Sequence, residues 1–152
     1  MFRSINKPVI TILGLITLCF ASASSVAEIK TDKAFVEHKI VLQISDNDPS
    51  KQTQVLNVAS NLLNAYGSEK VDIEVVAFGP GLRLLFAENS NSGRIDGLTQ
   101  SGVRFAACNN TINNMTQTLG SAPKLHASAT VVPGGIVRIK ELADQGYLLV
   151  KP

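Results

Sequence analysis

Cysteine is nearly absent from this chain. Two occur in 152 residues, Cys19 and Cys108, and Cys19 falls in an amino-terminal apolar segment. A chain that lost this segment would keep Cys108 alone, which excludes an intramolecular disulfide. Histidine is as scarce, with His38 and His126 the two examples. The carboxylates Asp46 and Asp48 find no third partner at a metal-binding spacing, and capping and turn formation account for both. There is no Gly-rich dinucleotide fingerprint, and no phosphate-loop Lys-Ser/Thr follows Gly79-Pro80-Gly81. Internal repeats, low-complexity tracts and long linkers are also missing. No apolar run reaches the roughly 20 residues that a membrane-spanning helix requires.

What the start of the chain does contain is a basic segment, Arg3 and Lys7, then the charge-free run Val9 to Phe20, then small residues at Ala21-Ser22-Ala23 and Ser25-Val26-Ala27. This is the pattern of a cleavable signal peptide over residues 1–27, with cleavage near Ala23 or Ala27. Leu18 precedes Cys19 where lipoprotein processing needs a small residue, so Cys19 reads as part of the discarded segment. The expected location is the periplasm. Losing Arg3 and Lys7 takes the basic count from 14 to 12 against 12 acidic residues, so the formal charge falls from +2 to zero. No basic stripe remains to indicate nucleic acid or an anionic membrane. After a polar leader at 28–37, residues 38–152 are long enough for one domain with its own core.

Strands and helices alternate along that domain. His38 to Ser45 reads as a strand, and Asp48 and Pro49 then suit the cap and first turn of a helix ending near Gly67. Val71 to Phe78 is a second strand. Gly79-Pro80-Gly81 turns the chain into a short helix at Leu82 to Glu88, and the Asn/Ser/Gly cluster at Asn89 to Gly93 is a loop signal. A second short helix is expected at Ile95 to Gln100. Val103 to Ala107 is a third strand, Asn109 to Leu119 a helix, and Ala127 to Val132 a fourth strand. A helix over Ile136 to Gln145, with Ile136, Ile139, Leu142 and Ala143 inward, leads to a last strand at Tyr147 to Val150. The strands are near-continuous apolar runs, which predicts a mainly parallel sheet with helices on its faces.

Ligands of such sheets sit beyond the carboxyl ends of the strands. Four loops should meet there: Asp46 to Asp48, Gly79 to Gly81, Cys108 to Asn110 and Pro133 to Gly135. Cys108 lies at a helix N-terminus, where free N–H groups and the helix dipole favour a thiolate. Its neighbours Phe105, Ala106 and Ala107 are core-like, and inert packing is the alternative. His38 and His126 both belong to the opposite edge, about 20 Å away across a six-residue strand, which argues against a Cys–His dyad within one chain. Arg83 and Arg138 each follow a site-edge turn and are candidate anion contacts, or plain solvated helix charges.

The segments Phe105-Ala106-Ala107-Cys108-Asn109-Asn110-Thr111 and Val131-Val132-Pro133-Gly134-Gly135-Ile136-Val137-Arg138-Ile139, followed by Glu141-Leu142 and Gln145-Gly146-Tyr147, resemble the DsrE/DsrF-like family linked with sulfur oxidation. The resemblance extends from His38 to Pro152. It implies a three-layer α/β/α sandwich with a mainly parallel five-stranded sheet, flavodoxin-like in outline, and a homo-oligomer, trimer or hexamer. It also implies a function, in which Cys108 accepts sulfane sulfur as a persulfide and passes it on to or from a partner protein. Asn109 and Asn110 would be local donors and Pro133, Gly134 and Gly135 would shape the pocket, with Asp46, Gly79, Pro80 and Gly81 at its border. No cofactor is expected, because a thiolate attacks sulfane sulfur directly. The competing expectation is a non-enzymatic binding or scaffold module in which Cys108 packs. A third is a dimer bridged through Cys108.

Overall fold

The computed structural model describes Lys33 and residues 35–152. The expected signal segment with Cys19, and most of the expected polar leader, lie outside the described residues. The domain contains a five-stranded sheet of β1 (His38–Ile44), β2 (Val71–Ala77), β3 (Arg104–Cys108), β4 (Ala129–Val132) and β5 (Leu148–Val150), crossed by α1 (Pro49–Tyr66), α2 (Ser92–Gln100), α3 (Asn109–Leu119) and α4 (Gly135–Asp144). All neighbours pair in parallel, in the order β4-β3-β2-β1-β5. The α/β class and the five-stranded parallel sheet are those expected. The end of the leader is tied to the sheet: Lys33 Nζ donates to the Val71 carbonyl at 2.8 Å, and Glu37 pairs with Lys70 at 2.9 Å.

Residues of alternate parity on each strand point to opposite faces. One face carries Ile40, Leu42, Ile73, Val75 and Phe105, packed with Val55, Leu56 and Ala59 of α1, Leu82, Leu84 and Leu85, and Ile95 of α2. Each large side chain buried there contributes about 1.5–3 kcal/mol. The other face of the sheet meets α4, through Ile139 and Leu142. The right-handed crossover rule explains this division. Three successive crossovers step the same way across the sheet, and the fourth, from β4 back to β5, steps the other way.

Local chemistry sets the boundaries. The Ser50 amide donates to Asp48 Oδ1 at 2.7 Å, and Pro49 occupies the first turn of α1. Hydrogen bonds from Ser50 hold the Asp48 carboxyl below the usual range. Gly67, at φ +84°, ends the helix. Gly79-Pro80-Gly81 does not precede a helix but begins one, a 3-10 helix over Gly79–Leu85. The reason is a close approach: a Cβ on Gly81 would lie 2.5 Å from the Ile44 carbonyl oxygen, so the turn is pressed against the end of β1. The loop signal at Asn89 to Gly93 also yields partly to helix, because the Asn89 side chain accepts the Asn91 amide and α2 begins at Ser92. In α4, Ile136, at 61% exposed, and Ala143, also exposed, do not face inward as expected, whereas Ile139 and Leu142 do.

Candidate functional site around Cys108

Cys108 ends β3 and is the N-cap of α3, with extended backbone and no regular side-chain capping bond. It is 5% exposed and lines a cavity of about 150 Å³ with Phe78, Asn110, Thr111, Gly134 and Gly135. Burial, the largest influence on its thiol, pushes it up. Against burial stand the Thr111 hydroxyl and the backbone N–H groups of Thr111, Gly135 and Asn110, which together hold the thiol below the ordinary cysteine range. Asn110 and Thr111 belong to the first turn of α3, and Gly135 opens α4. Two helix N-termini therefore favour the same sulfur, each offering unpaired amides and the positive end of its dipole. The Thr111 hydroxyl is itself oriented, because Oγ1 accepts the Gly79 amide at 2.9 Å.

Close packing holds the α4 end of this arrangement in place. A Cβ on Gly135 would lie 2.8–3.0 Å from the Cβ, Cδ1 and Cγ of Phe78, atoms near the root of the side chain that cannot swing aside. Glycine at 135 is what lets the amide reach Cys108.

A second and larger cavity, about 460 Å³, adjoins the first and shares the walls Asn110 and Thr111 with it. Asn47, Gly79, Pro80 and Arg83 complete its near side, and Asn114 and Met115 of α3 its far side. Both cavities lie where β1 to β4 end, at the edge expected from the topology.

The expected site residues divide accordingly. Cys108, Asn110, Gly134 and Gly135 line the small cavity, and Gly79 and Pro80 the large one. Gly81 is buried against β1. Asp46, Asn109 and Pro133 line neither cavity. Thr111, Phe78, Ile136 and Val137 are additions. Thr111 had a signal in the sequence: an N-cap side chain meets the amides two and three residues on, which from Cys108 are Asn110 and Thr111. Phe78 had none.

The two arginines part company. Arg138 makes a two-pronged pair with the buried Glu74, Nε to Oε1 at 2.6 Å and Nη2 to Oε2 at 2.7 Å. Arg104 Nε adds a bond to Glu74 Oε2 at 3.0 Å, and its Nη1 bonds Asp72, which also accepts the Tyr147 hydroxyl. Burial, and then the bond to Asp72, push the Tyr147 phenol up to about 12. Arg83 is exposed, has no carboxylate within 4 Å among the described residues, and lies 5.6 Å from the Phe86 ring centroid. The histidines have local partners: His126 sits 3.5 Å from Asp96 and accepts the Ser128 amide, and His38 stacks on Tyr66. Among the described residues no three His, Cys, Asp or Glu side chains group to hold a metal, and no helix is long and apolar enough to cross a membrane.

No protein-family model matches the chain, and no curated protein matches it significantly. Among solved structures it is similar to MTH1491 of Methanobacterium thermoautotrophicum, a protein of unknown function, with 30% identity and a TM-score of 0.68 over 76% of this chain and 100% of that one. The chain belongs to the MTH1491 family. Membership in the MTH1491 family accounts for the α/β fold, and the chemistry has to be argued from the residues around Cys108.

Proposed function

We propose that this member of the MTH1491 family is an exported sulfur carrier in which Cys108 accepts and relays sulfane sulfur, as the resemblance to DsrE/DsrF-like proteins implies. The observation that carries the reading is a cavity-lining thiol toward which two helix N-termini and one oriented hydroxyl converge. Such an environment lowers the cost of a thiolate, the nucleophilic form of cysteine.

The step balances without a redox partner. The Cys108 thiolate attacks the outer sulfur of a persulfide R–S–SH. A new S–S bond forms at Cys108, the R–S to sulfur bond breaks, and RS⁻ leaves with the electron pair. The proton stays on the transferred sulfur, giving Cys108–S–SH. An acceptor thiolate reverses the sequence and restores Cys108. The amides that favour the thiolate also favour the deprotonated persulfide.

Export is supported by the basic, apolar and small-residue order of the first 27 residues. Self-association is supported by exposed apolar residues on both sheet edges, Val131 on β4 and Leu148 and Leu149 on β5. The deciding experiment incubates the folded protein with a persulfide donor and reads intact mass. The wild type should gain one sulfur atom, and Cys108→Ser none. Equal gain in the variant, or none in the wild type, would replace this reading with a binding module in which Cys108 only packs.

A further inference from the structure

Resting on that reading, we propose that the sulfur donor is a low-molecular-weight persulfide of a carboxylate-bearing thiol, held in the larger cavity with its carboxylate on Arg83. Size argues first. The cavity at Cys108, about 150 Å³, admits a reacting sulfur and its neighbours, because one water already takes about 30 Å³. It is smaller than the roughly 300–1,000 Å³ usual for a small-molecule site. The adjoining 460 Å³ falls within the range of small-molecule sites. Asn110 and Thr111 line both spaces; in the proposed complex the donor's body occupies the larger one, with its sulfur end toward Cys108.

Charge argues second. Among the described residues the larger cavity is lined by one cation, Arg83, and no carboxylate, with amide side chains from Asn47 and Asn114. Arg138, the other arginine after a site-edge turn, is committed to Glu74. Arg83 has no such partner, and its place beside Phe86 restrains the guanidinium without neutralising it. A planar guanidinium with free donors matches a carboxylate through two parallel hydrogen bonds. A neutral or cationic donor would leave it unused.

Two disulfides that differ in charge test this on the chain from Glu28 onward, in which Cys108 is the single thiol. Each is opened by the Cys108 thiolate, which forms a mixed disulfide and releases a coloured thiol. One is dithiobis(nitrobenzoate), which carries a carboxylate on each ring, and the other is the neutral dithiodipyridine. Arg83→Gln should slow the anionic reagent by about fivefold and the neutral one by less than about twofold. Arg83→Lys should keep most of the preference, and salt at about 0.5 M should erase it. Equal slowing of both reagents, or of neither, overturns the anion site and leaves the reactivity of Cys108 standing. If neither reagent reacts with the folded wild type while both react after unfolding, the sulfur-carrier reading and this inference fall together.

Discussion

At Cys108 the balance between burial and hydrogen bonding has a measurable sign. Burial alone would raise the thiol, and the groups at Thr111, Gly135 and Asn110 reverse that. The rate of alkylation follows the thiolate, so its midpoint should fall at a pH below that of an ordinary cysteine. The coupled stability has the sign of any depressed group: it is present above the unfolded-state value and is lost as pH falls through the folded one. Thr111→Val removes one donor to the sulfur and leaves the Gly79 amide without its acceptor. It should move the alkylation midpoint up and slow labelling at neutral pH by roughly three- to tenfold; a profile identical to the wild type would show that the hydroxyl has no part in it. Residues at this scale were unevenly legible. The position of Cys108 followed from the order of strand and helix alone. Arg83 and Arg138 look alike in sequence, each just after a glycine turn, and only the fold shows that Glu74 takes one of them.

At the scale of elements, β2 carries the least expected chemistry. Its segment VDIEVVA reads as a buried strand, and it is buried throughout, Asp72 and Glu74 included. Their partners, Arg104, Arg138 and Tyr147, come from β3, α4 and the approach to β5. No local pattern links residues so far apart, which is why the sequence left these carboxylates unexplained. Glu74→Gln should cost about 3 kcal/mol or more in urea unfolding, because two guanidinium groups would lose a buried counter-charge. The exposed Lys140–Asp144 pair on the same helix is the contrast: Lys140→Ala should cost less than about 0.5 kcal/mol. Similar losses for both would mean that the buried cluster adds nothing beyond surface pairing. Element boundaries were read well wherever a cap or glycine marks them, as at Asp48, Gly67 and Gly120. They drifted where tertiary contact overrides propensity, as in the 3-10 helix pressed on β1 and in β4, which starts at Ala129 after a turn closed on His126.

For the molecule as a whole, the sheet ends in two short strands, β4 with four residues and β5 with three. Short edges limit unwanted pairing, yet Leu148 is 65% exposed on β5. If this edge is where copies meet, sedimentation of the wild type should give a multiple of the monomer mass. Leu148→Lys together with Leu149→Lys should return it to the monomer with the fold intact by circular dichroism. A monomeric wild type would remove the oligomer from the proposed function.

The strand order carries one more consequence, and it concerns time. The last of the described strands in chain order, β5, docks beside the first, pairing Leu148 with Ile40. Until that tail arrives, β1 has an open side, and Asp72 and Glu74 wait for Tyr147 and Arg138 to neutralise and cover them. Contacts between chain ends are the slow ones to form. A chain that still lacks β5 therefore has good reason to stay loose. The domain locks only once α4 and β5 have closed over β1 and β2.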